Sequence, residues 1–283
     1  MKTAETETAE RYVDLMSDIG FKLVFGREAN KDILIAFLNE VIPDRHIINI
    51  EFLDKEKHGT DRNAKECIFD VYCKTDDGSF ILVEVQNKKQ EHYIERSLYY
   101  SVFPVQEQLE RGDREYDISG VFIINILAFS IANDHICKDV MSHYRLMNIR
   151  NGKMLTDKFN VIYIELENFT KGLDELDGSI LDGFYFCLKN ICRLKSHPKE
   201  LRQTIFTRLF DAAGFAGMNS IEQRKYINAM NTDRDIRNQI AYAAKEGKRQ
   251  SALEIAQKLL DMGISPEQVR IATGVSADDI VRD

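Results

Sequence analysis

The sequence predicts an α/β fold, a mixed sheet flanked by helices and followed by a helical C-terminal region. Several runs of five to eight residues are rich in β-branched and aromatic side chains, which favour strands. Between them, apolar residues recur at three-and-four spacing, which is typical of amphipathic helices. The order is helix, three strands, helix, strand, so helices and strands share one layered domain.

The first helical segment covers residues 11–41, with a break at Gly26. A second helix is predicted over 90–110, where Pro104 should kink or split it near Tyr100–Ser101. Strands are predicted at 47–53, 68–74, 80–86 and 121–128, and around 143–149 and 160–166.

From about residue 170 the helical spacing continues without a convincing strand. We therefore divide the chain into an α/β domain (11–168), a helical extension (169–250) and a small helical tail (251–283). The charged stretch 231–250 is predicted to be a flexible joint.

The tail is predicted to form three short helices, with breaks at Gly263 and Gly274 and Ser276 as the N-cap of the third. This spacing is typical of a helix-turn-helix. However, residues 252–283 carry three basic against six acidic side chains, a net charge of −3. Because DNA-reading helices are basic, we favour packing or homodimerisation over DNA reading for the tail.

Composition excludes several classes of protein. The chain has 283 residues, 44% hydrophobic and 30% charged, which excludes wholesale disorder. Its net charge of −8 argues against general polyanion binding, so any nucleic-acid contact must come from a local patch. No apolar run is long enough for a membrane span, and residues 1–10 do not resemble a signal peptide. Five cysteines without CxxC spacing favour a cytoplasmic protein over a disulfide-bonded one.

Two carboxylates stand inside otherwise apolar predicted strands, Asp70 and Glu84. Whether they meet depends on the register of the hairpin between them. A two-residue turn would place them on opposite faces, whereas a three-residue loop, Asp76-Asp77-Gly78, pairs residues whose numbers sum to 154 and sets Asp70 opposite Glu84. We favour the three-residue loop, because its third position requires a left-handed conformation and Gly78 adopts one readily.

Two facing carboxylates repel each other, and a hard divalent cation relieves that repulsion. The pair therefore predicts a site for Mg²⁺, Mn²⁺ or Ca²⁺, with Gln86 on the same strand face as Glu84. Such a site can activate water against a phosphodiester. The alternative is that both carboxylates lie on the solvent face of an edge hairpin.

These residues resemble the PD-(D/E)XK nuclease superfamily, and in particular its transposase-like branch, the recombination-promoting nucleases. The resemblance includes the segment Asp18–Gly26, the Asp70 and Glu84-Val85-Gln86 pair, and the later Arg96–Tyr100. It covers roughly residues 12–170 and a short stretch of the tail. It implies a restriction-endonuclease-like core and a metal-dependent DNA endonuclease acting on double-stranded DNA.

The resemblance also implies roles for individual residues. Asp70 and Glu84 match the metal carboxylates, and Val85 would offer its backbone carbonyl to the metal. Gln86 occupies the catalytic position that is lysine in the founding enzymes and supplies hydrogen bonds but no charge. Lys88 could partly replace that charge if the strand continues.

The resemblance further implies that two segments border the cleft in which the site lies. Asp18 and Lys22, spaced i to i+4 on the first helix, match a family segment there, with Asp18 as an accessory residue and Lys22 facing substrate. Arg96 would face phosphate from the second helix. The simpler interpretations are a helix-surface pair for Asp18 and Lys22, and an ion pair with a nearby glutamate for Arg96.

Two other functions stay open. The chain could be a non-cleaving nuclease-fold module that binds nucleic acid or a protein, which the glutamine at 86 and the acidic tail favour. Alternatively, the C-terminal helices could form the working surface on a nuclease-like scaffold.

Overall fold

The computed structural model describes residues 11–42, 44–54, 56–57, 67–109, 116–131 and 138–275. Contacts divide the chain into two compact units, Met1–Gln223 and Arg224–Asp283. Within the described residues, no helix is both long and apolar enough to span a bilayer.

A six-stranded mixed sheet forms the centre of the first unit, in the order β1-β4-β5-β6-β8-β7. The strands are β1 (Ile50–Phe52), β4 (Val71–Thr75), β5 (Phe80–Gln86), β6 (Val121–Leu127), β7 (Met141–Arg145) and β8 (Phe159–Glu165), and β2 (Glu56–Lys57) pairs with β3 (Cys67–Ile68) in a separate ladder. The pairs β5–β6 and β6–β8 are parallel, whereas β1–β4, β4–β5 and β7–β8 are antiparallel. The predicted mixed α/β fold is confirmed, with strand ends shifted by up to four residues.

The central strands are apolar because both faces of the sheet are covered. All seven residues of β6 are buried, as parallel strands between helix layers require. On one face, Leu82 and Ile123 pack against Tyr100 and Phe103 of the following helix. Glu84 lies two residues beyond Leu82 along β5 and therefore shares this face.

The described residues form seven α-helices. They are α1 (Asp18–Phe25), α2 (Lys31–Val41), α3 (Tyr93–Gln106), α4 (Ile180–Asn190), α5 (Thr204–Ala213), α6 (Ser220–Asp261) and α7 (Pro266–Thr273). The break at Gly26 is confirmed, since α1 ends there. The predicted split at Tyr100–Ser101 is wrong: α3 runs unbroken from Tyr93 to Gln106. Pro104 removes only its own hydrogen bond to the carbonyl of residue 100, and the helix ends two residues later.

The C-terminal half is more continuous than predicted. The stretch 231–250, predicted as a flexible joint, is a continuous part of α6, which has 42 residues. No proline interrupts it, Asp233 and Arg237 form an i, i+4 ion pair, and Gly247 alone costs about 1 kcal/mol.

The tail begins within α6 rather than with a separate short helix. The helix ends before Gly263, and Ser265 caps α7 by accepting the N–H of Gln268. Gly274 ends α7 in a left-handed conformation, as predicted. The third predicted tail helix lies outside the described residues.

Candidate metal-dependent nuclease site

The β4–β5 hairpin sets the geometry of the site. Its pairs, among them Val71 with Val83 and Lys74 with Phe80, all sum to 154, so the predicted register is confirmed. Thr75 and Ser79 close the three-residue loop through a 2.9 Å backbone hydrogen bond, and Gly78 adopts a φ of +85°. Asp70 directly precedes β4, and one further step in this register places it opposite Glu84.

Backbone N–H groups of the hairpin bind the side chains of Asp70 and Glu84. The Val85 N–H donates to Asp70 Oδ2 at 2.8 Å, and the Asp70 N–H donates to the Glu84 carboxylate. The two residues are only 5% and 7% exposed, respectively, which excludes the solvent-exposed hairpin. Tyr72 and Leu82, two residues from Asp70 and Glu84 along the chain, are buried, whereas Ile68, two residues before Asp70, is exposed.

Both carboxyl groups have a raised pKa. Burial is the largest cause for each, because it removes water from the charged form. A hydrogen bond with the Asp18 carboxyl raises the pKa of Asp70 further, and the nearby charge of Asp70 raises that of Glu84. Glu84 Oε1 is buried and has no hydrogen-bond partner among the described residues. An unpaired buried oxygen of this kind is unfavourable unless a ligand or ion occupies the site.

Helix α1 brings a cation to this pair. Lys22 Nζ lies 2.5 Å from Asp18 Oδ1 and 3.2 Å from Asp70 Oδ1, so its ammonium bridges the two carboxylates. The helix can start here because Gly20 has no side chain: a Cβ at this position would lie 2.0 Å from the Asp14 carbonyl oxygen. Asp18 and Lys22 are therefore more than a helix-surface pair.

The charge of Lys22 depends on these partners. Burial is the largest single influence and lowers its pKa, but the hydrogen bonds and charges of Asp18 and Asp70 together outweigh it and raise the pKa above the usual value. Lys22 therefore stays protonated and neutralises part of the acidic cluster.

Gln86 and Arg96 form the other side of the site. Arg96 Nη2 donates to Gln86 Oε1 at 2.9 Å and Nη1 donates to Gln90 Oε1 at 2.6 Å. The guanidinium also lies 5.0 Å from the ring centre of Tyr93 and 5.6 Å from that of Tyr100. Neutral amides and rings hold this cation, and no ion pair joins it to a described acid. Its charge is close enough to Glu84 to oppose the rise in that residue's pKa.

Lys88 does not extend the strand face. Strand β5 ends at Gln86, and residues 87–88 bend away from it, so the condition under which Lys88 would share the face of Glu84 is not met. The carbonyl of Lys88 instead accepts a 3.1 Å hydrogen bond from Gln86 Nε2. Both ends of the Gln86 amide are thus engaged.

Two residues that we did not single out from the sequence complete this face. Asn125 stands beside Glu84 in the β5–β6 register and is fully buried. Its Oδ1 accepts a 2.9 Å hydrogen bond from Tyr93 Oη, and its Nδ2 donates to the Ile162 carbonyl. The signal was present, because Asn125 is the single polar residue in the run Val121–Leu127, where a polar group needs a partner.

The donor chemistry fits a hard divalent cation. Mg²⁺ is often held by one or two carboxylates together with water, and Asp70 and Glu84 supply carboxylate oxygens, one of them unpaired. Within the described part of the chain, no group of three or more His, Cys, Asp or Glu side chains is arranged to hold a metal. The described residues would therefore supply a pair of carboxylates and the Val85 carbonyl.

Comparison with known proteins gives one family. Neither curated proteins nor solved structures give a significant match. The model of the family described as PD-(D/E)XK nuclease family transposase matches residues 15–243, which include α1, the whole sheet, α3 and more than half of α6. The mixed α/β fold is consistent with this match. The chain belongs to the PD-(D/E)XK nuclease family of transposases.

Proposed function

We propose that this protein is a divalent-metal-dependent endonuclease that hydrolyses phosphodiester bonds of double-stranded DNA. The observation that carries the proposal is the buried Asp70–Glu84 pair, in which Glu84 Oε1 has no hydrogen-bond partner among the residues that the structure describes. A structural role would leave this oxygen hydrogen-bonded. Catalytic groups often have strongly perturbed pKa values, as both carboxyls do here.

In this proposal Asp70, Glu84 and the Val85 carbonyl would hold Mg²⁺, Mn²⁺ or Ca²⁺. A bound divalent cation would lower the pKa of a water molecule and offset the negative charge of the phosphodiester. The Val85 N–H keeps Asp70 in place, and the backbone of Asp70 does the same for Glu84. The carboxylates are thus fixed before substrate arrives.

Arg96 would supply the charge that Gln86 lacks. Its guanidinium is oriented by the Gln86 and Gln90 amides and by two aromatic rings, so it can turn a donor pair toward a phosphate. Gln86 then acts as a positioning residue for Arg96. Lys22 is the second cation at the site, and it could contact phosphate once it leaves Asp70.

The direct test is cleavage of supercoiled plasmid DNA with Mg²⁺ or Mn²⁺. Asp70→Asn should abolish cleavage, whereas Asp117→Asn, which changes an exposed surface carboxylate, should leave it unchanged. An Asp70→Asn variant as active as the wild type would refute the site.

The second candidate function is a nuclease-fold module that binds nucleic acid without cleaving it. It is favoured by one observation, the engagement of both ends of the Gln86 amide at the position where founding enzymes have lysine. In that case the wild type would bind DNA but show no cleavage at any metal concentration.

A further inference from the structure

Helix α6 exposes most of its surface. Its 42 residues extend about 63 Å, and nearly every side chain from 227 to 250 is exposed or half-buried. Helices in proteins are usually stabilised by an apolar face packed on a core, and this stretch lacks one. Its surface is therefore available to a partner.

The charge of this segment has the opposite sign to that of the chain. Residues 224–250 contain seven Lys and Arg against three Asp and Glu, a net charge of +4, whereas the whole chain has −8. This is the kind of local basic patch that an acidic protein needs in order to bind a polyanion.

Five of these cations form a basic stripe along one side of the helix. At about 100° per residue they fall within a sector of about 120°, and the three acids lie outside it. The members of the basic stripe are Arg234, Arg237, Lys245, Lys248 and Arg249, all exposed. From first to last they span about 22 Å of helix, over which a DNA duplex presents about 13 phosphates.

The stripe can exchange its present contacts for phosphate. Arg237 pairs with Asp233, and Arg249 pairs with Glu246 at 3.3 Å. Both are partly exposed surface pairs, which contribute at most about 1 kcal/mol. Lys245 and Lys248 make no ion pair with a described residue.

The opposite side of the helix argues against a lipid bilayer as the partner. It carries Ile236 and Ile240, followed by the small side chain of Ala243. Helices that lie in a membrane surface need a wide face of large apolar side chains, and two isoleucines do not provide it.

We propose that the basic stripe of α6 binds the phosphate backbone of double-stranded DNA, independently of its sequence. The charge and the exposure of the stripe are independent of the proposed nuclease function, whereas the choice of double-stranded DNA among polyanions rests on it. The stripe would add affinity for substrate that the acidic remainder of the chain does not supply.

The test compares two triple variants of the full-length chain that lose the same charge. One removes three stripe cations (Lys245→Gln, Lys248→Gln and Arg249→Gln), and the control removes three cations of the same unit outside the stripe (Lys225→Gln, Lys258→Gln and Arg270→Gln). Binding to a fluorescent DNA duplex is measured by polarisation in EDTA at several salt concentrations. The stripe variant should bind more weakly to every sequence, and its log–log salt dependence should lose about 0.9 per contact removed, up to about 2.7 in slope. The control should keep the wild-type slope.

Equal weakening of both triples, or no weakening of either, would refute the stripe as a DNA site. So would loss of binding to anionic phospholipid vesicles, rather than to DNA, in the stripe variant alone. Melting temperatures within experimental error of the wild type show that the variants fold. The double variant Arg234→Gln with Arg237→Gln tests the other end of the stripe in the same assay. Because EDTA removes metal, the assay is independent of cleavage: stripe-dependent binding without nuclease activity would refute the proposed function and leave this inference standing.

Discussion

Glu84 and Glu165 are both buried, yet their carboxylates have different surroundings. Glu165 Oε2 accepts hydrogen bonds from the Ser130 hydroxyl and the Ile131 N–H. Glu84 Oε1 accepts none from the described part of the chain, and it lies beside the negative charge of Asp70. A buried structural carboxylate has hydrogen bonds to its oxygens, whereas a buried carboxylate with an unpaired oxygen is a candidate metal ligand.

This difference predicts opposite effects of two matched substitutions in metal-free protein. Because the folded-state pKa of Glu84 is raised, its stabilising contribution is complete below the ordinary carboxyl pKa of about 4.3 and is lost as pH rises through the raised folded value. Glu84→Gln removes that loss. We therefore expect the free energy of unfolding of the variant to exceed that of the wild type by about 1–3 kcal/mol at pH 8, and by less at pH 5. Urea unfolding in EDTA measures both.

Glu165→Gln serves as the control. It weakens accepted hydrogen bonds of the 130–131 loop and should lower stability by about 1 kcal/mol. A loss of stability in Glu84→Gln at pH 8 as large as that in Glu165→Gln would mean that Glu84 is a structural residue.

In the proposed site, Lys22 would compete with a divalent cation for the carboxylate of Asp70. Its ammonium lies 3.2 Å from Asp70 Oδ1, so Lys22→Met should leave Asp70 and Glu84 with a higher affinity for Mn²⁺. For a partly exposed ion pair of about 1 kcal/mol we expect roughly a fivefold lower dissociation constant by calorimetry. Lys31→Met, which removes a surface pair with Glu28, should not change it. Weaker Mn²⁺ binding in Lys22→Met would show that Lys22 supports the site rather than competes for it.

At the scale of elements, the β4–β5 hairpin could be predicted and α6 could not. The hairpin register depends on a local feature, a glycine at the position of the loop that needs a positive φ, and that signal is in the sequence. Asp70 and Glu84 follow from the register. The continuity of α6 has no such signal, because Gly247 and the dense charge of 231–250 are equally typical of a linker.

Contacts between distant elements were the least predictable part of the site. Arg96 reaches Gln86 across ten residues, and Lys22 reaches Asp70 across 48. Sequence spacing places Arg96 and Lys22 on helix faces, but packing decides which strand residue each one meets. The family resemblance indicated both helices without their partners.

The hairpin itself offers a test of what holds the register. Gly78→Ala forces an alanine into a left-handed conformation and brings its Cβ to 3.3 Å from Ser119 Oγ, so we expect a loss of about 1–2 kcal/mol in urea unfolding. Gly217→Ala is the control, since its φ is not positive and nothing lies within 4 Å of its Cβ. Equal stability of the two variants would show that Gly78 does not restrain the loop.

At the scale of the whole molecule, the site and the tail belong to different compact units. All site residues lie in the first unit, whereas the tail exposes several large apolar side chains of the second, namely Ile255 (49% exposed), Met262 (75%) and Ile271 (74%). Large exposed apolar side chains can mark protein–protein contacts where they adjoin one another. We therefore expect homodimerisation through the C-terminal helices.

Removing residues 252–283 should convert a dimer to a monomer in light scattering while plasmid cleavage by the first unit persists. Ile271→Asp in the full-length chain should have the same effect on mass, because it places a charge at the contact, whereas Ile236→Asp changes an exposed isoleucine outside the removed segment and should not. An unchanged mass together with weaker DNA binding would identify the tail as a DNA reader despite its acidic charge. An unchanged mass with unchanged binding would mean that its apolar side chains do not form a contact between copies.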